Sequence, residues 1–293
     1  MGFEELNLLN KSKRSPDLYT FLDYRKYLRD WVVSEKKHRG SYSLHQLSRE
    51  AGLSVAHLPL ILDHERTMTA EVQARLAPVL GLEGESLEYF GTLRALNDSP
   101  DFEVRLRALR QAQKARKFRK NNPREVEAYR YLTRWYNVAI REMAALPGFR
   151  LEWSWIQKHL RKLVPRREIE AALRFLQRNG FIAFSEAENR AWLPEKKVDC
   201  DGGVYRLTMG KFHEQMLALA ADSIHTVERD ERRIQSYTLA IHHESFVKIQ
   251  AIIDRAYQEI AMVSKQQESE KLDTVYHVFF GAFPLTKKQG GTL

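Results

Sequence analysis

The sequence predicts a mainly α-helical protein with a smaller α+β part near its end. Between Asp17 and Asn179, apolar residues recur at helical spacing and are interrupted by capping residues, glycines and prolines. After Gly203, short segments alternate apolar and polar residues as strands do. The order of these patterns predicts a flexible lead-in (1–16), a repressor-like helix-turn-helix domain (17–97), a basic linker helix (98–124), a winged-helix domain (125–200), an α+β dimerisation or sensing domain (201–288) and a tail (289–293).

Composition and charge limit the function classes. The net charge of +9 is uneven: residues 101–124 hold 9 basic and 2 acidic side chains, whereas residues 1–100 and 201–293 each sum to −1. Such a basic middle segment favours a nucleic-acid partner over a membrane, because no strongly apolar face accompanies it. The single cysteine, Cys200, excludes an internal disulfide. With no signal-peptide pattern, we expect a cytoplasmic protein that does not enter the membrane.

The segment 43–66 has the pattern of a helix-turn-helix. Ser43 and Gln46 have capping-box spacing, Gly52 lies where a tight turn needs positive φ, and Ser54 is placed to cap a second helix. An ordinary pair of packed helices would give a similar pattern. The second helix offers no Arg, Asn or Gln to base edges, and Pro59 bends it or delays its start. The candidate DNA contacts of this motif are Ser54, His57 and Arg66.

Residues 101–120 are predicted to form one basic helix. On a continuous helix Arg107, Arg110, Lys114 and Lys117 fall within about 80° of one another. Like charges at this spacing repel each other, so phosphate contact is one interpretation and a solvated face on a domain connector is the other.

Residues 125–200 are predicted to form a winged helix. Helices at 125–145, 154–163 and 166–179 precede two short strands joined by a polar turn at 186–189. The third helix would bury Ile169, Leu173 and Leu176. The opposite face would carry arginines within about 40° of one another, where they could read DNA bases. The candidate contacts are Arg167, Arg174 and Arg178, with Arg190 on the wing; a winged helix used for dimerisation is the alternative.

Residues 201–293 are predicted to alternate strands and helices. Val204–Met209, Arg233–Ile241 and Thr274–Leu285 are the predicted strands, with helices at 211–227 and 244–263 between them. We expect this part to form a homodimer or to bind an effector or a protein partner.

Several segments together resemble a family of bacterial proteins that is largely uncharacterised and frequent in predatory bacteria. Its members carry a repressor-like helix-turn-helix followed by domain of unknown function 4423. The segments, besides the winged region, are FLDYRKYL (21–28), AGLS (51–54), LILDHERTMT (60–69), LGL…E…YF (80–90), RIQSYTL (233–239) and VYHVFFGAFPLTK (275–287).

The resemblance implies a transcriptional regulator and brings no established chemistry. The family usually has a Ser-Pro-Ser-Tyr-Leu-like start to the recognition helix and a Gly-Lys-Arg turn after it. This chain has Ser54-Val55-Ala56-His57-Leu58 and His64-Glu65-Arg66 instead. The departure weakens the case for DNA contact by the first motif.

The sequence lacks the motifs of the common enzyme classes. It has no glycine-rich phosphate loop, nucleophile elbow or zinc-protease signature, and His242-His243-Glu244 lacks metal-site spacing. We therefore expect no catalytic activity, no cofactor and no metal. The favoured function is a transcriptional regulator that binds double-stranded DNA as a homodimer. The alternatives are a protein-interaction adaptor and an RNA-binding protein.

Overall fold

The computed structural model describes residues 15–187 and 190–287. Most of the predicted lead-in (residues 1–14), two residues of the predicted wing turn (188 and 189) and the predicted tail (289–293) lie outside that range. The described chain is mainly helical with one small antiparallel hairpin, which confirms the predicted mainly α-helical class. It divides into two compact units, one of residues 1–130 with 198–210 and the other of residues 131–197 with 211–293.

The elements run as follows. The first are α1 (Tyr24–Arg39), α2 (Leu44–Glu50), α3 (His57–Leu62), α4 (Ala70–Leu80), α5 (Gly84–Asp98), α6 (Phe102–Ala112), α7 (Arg116–Asn121) and α8 (Pro123–Leu132). They are followed by α9 (Trp135–Met143), α10 (Trp153–His159), α11 (Arg166–Arg178), β1 (Ala183–Ser185), β2 (Arg190–Trp192), α12 (Gly202–Thr226) and α13 (His243–Lys265). Short 3₁₀ turns lie at Leu18–Thr20 and Ser269–Lys271.

The core of the first unit is built around the aromatic face of α1. Tyr24, Tyr27 and Trp31 are at most 1% exposed. The rings of Tyr24 and Tyr27 meet Phe90 of α5 edge-on, with centroids 6.2 and 6.1 Å apart. Edge-to-face packing of this kind stabilises a core beyond the apolar area that it buries. These aromatics are core residues and not a stacking platform for bases.

A buried ion pair ties α1 to α5. Arg25 donates from Nη2 to Asp98 Oδ1 at 2.6 Å, and both side chains are less than a tenth exposed. Asp98 Oδ2 also accepts from the Tyr24 hydroxyl and from the Met68 N–H, each at 2.7 Å. Asp98 is the last residue of α5, whereas the sequence pattern placed it in the predicted linker segment 98–124.

The capping and turn predictions for the segment 43–66 are confirmed in part. Gly52 has φ 64°, as predicted, and the Thr69 hydroxyl caps α4 by accepting from the Val72 N–H at 3.2 Å. Ser43 accepts from the Gln46 N–H at 3.4 Å. The expected cap by Ser54 is wrong, because α3 begins later, with Ala56 at its N-cap and no side-chain cap. The late start places Pro59 in the first turn of α3, where the missing N–H leaves no helical hydrogen bond unmade.

The second unit contains three helices followed by the hairpin. The helix predicted over 125–145 is two helices, α8 and α9, because the N–H of Trp135 is taken by Gln215 Oε1 at 3.1 Å. Strands β1 and β2 pair antiparallel with Ala183 opposite Trp192 and Ser185 opposite Arg190. The ring of Phe181 stacks on Tyr131 with centroids 4.3 Å apart and anchors the start of the hairpin.

Residues 201–287 differ most from the prediction. The strand predicted at Val204–Met209 is wrong, since these residues belong to α12. Val204 and Leu207, spaced as one helix face, are buried in a cluster with Leu96, Leu106 and Leu109. Residues 233–241 and 274–285 are assigned to no strand in the described chain, and no turn or bend interrupts them before Leu285.

The Arg25–Asp98 pair generates a stability prediction. We expect Asp98→Asn to lower the free energy of unfolding by about 3–5 kcal/mol, because it removes the charge 2.6 Å from the buried Arg25 and leaves only Asp23, 3.9 Å away, as a counter-ion. Asp63→Asn is the matched control: its partner Arg29 lies 3.1 Å away, both side chains are at least half exposed, and the loss should stay below about 1 kcal/mol. Urea unfolding followed by circular dichroism measures both. Equal losses in the two variants would contradict the assignment.

Candidate nucleic-acid interface

Helix α11 separates an apolar face from a basic one. Its buried residues are Ile169, Ala172, Leu173, Phe175 and Leu176. Arg167, Arg174 and Arg178 are all exposed, and they lie within about 40° of one another on the wheel of this unbroken helix. Ala171, also exposed, lies on the same face. The predicted third helix and its arginine face are therefore present as a continuous element.

The basic face of α11 is held in place at its start. Glu168, in the first turn, accepts from the Tyr136 hydroxyl at 2.6 Å and so ties α11 to α9. Burial raises the pKa of Tyr136, and the Glu168 hydrogen bond raises it further, so the phenol remains a donor at neutral pH. At the other end Gly180 has φ 70°, and the N–H of Phe181 donates to Leu176 O at 2.8 Å. Both ends of the helix are thus fixed by contacts of its non-arginine residues.

The three arginines of this face have no partner among the described residues, whereas the neighbouring Arg166 has two. Arg166 is paired with Glu170 at 2.7 Å and lies over the Trp153 ring at 4.9 Å. Within residues 15–187 and 190–287, Arg167, Arg174 and Arg178 make no hydrogen bond or ion pair. Sequence reasoning missed Arg166 and Trp153, because a wheel shows faces but not which cation an aromatic ring will hold. Three unpaired guanidinium groups on one face can bind phosphate or the edge of a base.

Arg190 is the first residue of β2 and lies opposite Ser185. Arg190 is exposed, and Trp192, two residues further along the same strand, is 46% exposed. Side chains two apart on a strand point to the same face. The hairpin therefore presents a cation and a large aromatic ring on one side.

The basic region of the first unit is not the single helix that the sequence predicted. The chain leaves helical geometry between α6 and α7, at Gln113–Ala115. Two contacts explain the break. Phe118 is fully buried in the core of the unit, and the Arg119 guanidinium donates to the carbonyls of Gln113 and Lys114 at 2.7 and 2.6 Å.

The break divides the four candidate phosphate contacts. Arg107 and Arg110 lie on α6, Lys114 lies in the turn, and Lys117 lies on α7. The continuous stripe inferred from the wheel is therefore wrong, although all four side chains are exposed. Arg110 Nε donates to the Tyr129 hydroxyl at 3.1 Å, which raises the pKa of Arg110, and Lys117 lies 5.2 Å from the centre of the Tyr19 ring. What remains is a cluster of cations distributed over two helices and a turn.

The helix pair α2–α3 presents a weaker candidate surface for DNA than α11 does. Helix α3 is short and buries Leu58, Ile61 and Leu62. Ser54 and Arg66 are exposed but lie outside α3, and His57, its first residue, is half-buried. Arg25 Nε and Arg29 Nη2 donate to the carbonyls of Ile61 and Leu62 at 2.8 and 2.9 Å. Arg25 and Arg29 thus hold the end of α3 through its backbone carbonyls.

A metal-binding cluster and a membrane-spanning helix are both absent from the described residues. They contain no group of three His, Cys, Asp or Glu side chains placed to hold a metal ion. Every helix in the described part of the chain is too short or too polar to cross a bilayer.

The elements above define a mainly helical protein with a helix-hairpin unit that carries exposed arginines. Residues 111–285 match the family model described as Domain of unknown function (DUF4423), and the chain belongs to that family. No curated protein and no solved structure matches the chain.

The cation cluster on α6 and α7 generates the second prediction. We expect replacing Lys114 and Lys117 with Gln to weaken binding to duplex DNA of any sequence and to lower the slope of log K against log salt by about two. Replacing Lys36 and Lys37 of α1 with Gln removes the same charge elsewhere on the unit and is the matched control. Fluorescence anisotropy at several salt concentrations measures both slopes. If the two double variants change the slope equally, the cluster acts only through net charge.

Proposed function

We propose that the protein is a DNA-binding transcriptional regulator and that α9, α10, α11 and the β1–β2 hairpin act as a winged helix. The observation that carries the proposal is the set of three exposed arginines, without partners in the described chain, on one face of α11. A polyanion is the partner that such a face fits. In this scheme α11 enters the major groove and the hairpin lies against the backbone beside it.

The spacing of the arginines fits base reading. Arg174 and Arg178 are one turn apart on α11, which is about 6 Å along the helix axis. A guanidinium group can donate two parallel hydrogen bonds to the O6 and N7 of guanine, and no other side chain is used as often for this contact. Ala171 lies on the same face, where its methyl group would suit a thymine methyl. The face therefore offers both kinds of contact that distinguish base pairs.

Other cations would provide attraction without sequence preference. The cluster on α6 and α7 and Arg190 of the hairpin carry positive charge on exposed side chains. Contacts to phosphate supply most of non-specific affinity and weaken as salt rises. We assign sequence preference to α11 and phosphate attraction to these groups. Ser54, His57 and Arg66 are assigned at most a supporting contact, because α3 offers no bidentate reader.

A protein-interaction adaptor is the second candidate. The observation that favours it is the exposure of Trp153 and Trp192, at 38% and 46%. Exposed tryptophans are enriched at protein interfaces. Under this alternative the α11 arginines would be solvated, and their removal would not change DNA binding.

The third prediction tests the proposed role of α11. A preferred site is first selected from random duplexes with the full-length chain. We expect Arg174→Ala to cost about 1–3 kcal/mol on that site and much less on random DNA, because a lost guanine contact affects only the matching sequence. Gln177→Ala, at an exposed position of the same helix, is the control and should change neither affinity.

The remaining outcomes separate the rival functions. Equal losses for Arg174→Ala on both DNAs would make Arg174 a phosphate contact and contradict base reading. Unchanged binding to both, with unfolding midpoints that match the unmodified chain, would favour the adaptor. Tighter binding of the full chain to RNA of the same sequence than to the duplex would favour an RNA-binding protein.

A further inference from the structure

Two segments of the second unit have the composition of strands but no strand partner. Residues 233–241 alternate polar and apolar side chains in two stretches, 233–235 and 236–239, and residues 274–283 are rich in β-branched and aromatic residues. No turn or bend interrupts either segment, and every residue in both is exposed. Between described residues, neither segment makes a backbone hydrogen bond. A segment without turns whose backbone N–H and C=O groups are unpaired is a template for pairing with another strand.

Large apolar side chains extend from the same two segments. Tyr237 is 91% exposed, Leu239 59%, Tyr276 68% and Phe283 76%. Exposed apolar surface scattered singly is ordinary, but a contiguous run of aromatic and aliphatic residues marks an interaction site. The two segments carry one formal charge between them, on Arg233. Their partner is therefore a polypeptide and not a polyanion.

Helix α13 and a neighbouring cavity are also without a covering element. Helix α13 is amphipathic and has no buried residue; among its exposed side chains are Val247, Ile252, Tyr257, Ile260 and Val263. Within the second unit a cavity of about 1830 Å³ is lined by Phe212, Met216 and Leu219 of α12 and by residues 273–281. Small-molecule sites are typically about 300–1,000 Å³, so this cavity has the size for a piece of chain.

We propose that a second copy of this chain is the occupant, and that residues 233–241 and 274–283 of two protomers pair into one intermolecular β-sheet. Four such segments exceed the three strands that a stable sheet needs, whereas the two segments of one protomer do not reach it. Residues 201–293 sum to a charge of −1, so two copies meet without strong repulsion. In the intertwined dimer the sheet covers the apolar face of α13, and chain from the partner fills the cavity. Pro284 ends the pairing, because it has no N–H to donate.

The fourth prediction tests the pairing through one backbone N–H. Thr238 lies in the middle of the first segment, and its N–H bonds to nothing in the described chain. Thr238→Pro should leave the protomer's helix content unchanged and raise the dimer dissociation constant by at least about tenfold, since two symmetry-related hydrogen bonds are lost. Thr238→Ser keeps the N–H and is the matched control. Light scattering after gel filtration, over a concentration series of the full chain without DNA, measures the mass.

A second pair of variants tests the apolar surface. Phe283→Asp should shift the chain toward the monomer, whereas Val33→Asp, at an exposed apolar position of α1 in the first unit, should not. A full-length chain that stays monomeric up to about 100 µM, well above the Kd of an obligate dimer, would overturn the proposal. A dimer that Thr238→Pro leaves as tight as Thr238→Ser does would overturn the strand pairing. Because these measurements contain no DNA, their failure is distinct from failure of the proposed DNA contact.

Discussion

The buried contact between Arg25 and Asp98 determines how the first unit is assembled. One carboxylate accepts from Arg25, from the Tyr24 hydroxyl and from the Met68 N–H, and so joins α1, the end of α5 and the chain that leads into α4. The same Arg25 donates from Nε to Ile61 O and fixes the end of α3. A buried charge in this position is tolerated only because nearly all of its hydrogen bonds are made. The position of α3 therefore depends on hydrogen bonds to its last backbone carbonyls as well as on the burial of Leu58, Ile61 and Leu62.

Local signals predicted some helix starts and turns correctly, because they act over a few residues. A hydroxyl at Thr69 or a glycine at position 52 decides the backbone geometry beside it, whatever the rest of the chain does. The break between α6 and α7 has no such signal. It depends on Phe118 reaching a core formed by residues that are distant in the sequence, such as Tyr19, 99 positions earlier, and Tyr89, 29 positions earlier. Likewise Val204 and Leu207 read as strand residues in isolation, and it is packing against Leu96 and Leu106 that selects the helix.

The candidate site shows where a helical wheel predicts the placement of side chains correctly. On α11 the arithmetic placed three arginines on one face, and the unbroken helix keeps them there. Applied to residues 101–120, the same arithmetic failed, because a wheel is valid only along a continuous helix. The positive charge of that region was predictable from composition, but its distribution over two helices and a turn was not. The contacts of Arg110 with Tyr129 and of Arg166 with Trp153 could not have been predicted, because they join residues whose proximity only the fold creates.

Two kinds of unsatisfied group in the second unit point to two kinds of partner. The α11 arginines carry charge on side chains, and charge without a counter-ion in the chain favours an anionic partner. Residues 233–241 and 274–283 carry unpaired backbone N–H and C=O groups, and their side chains are uncharged except for Arg233. Another peptide backbone can satisfy these groups. A polyanion offers no ladder of alternating donors and acceptors to the second group, and a neutral strand offers no anion to the first. The proposed DNA contact and the proposed dimer therefore rest on groups of different chemistry, each of which needs its own kind of partner.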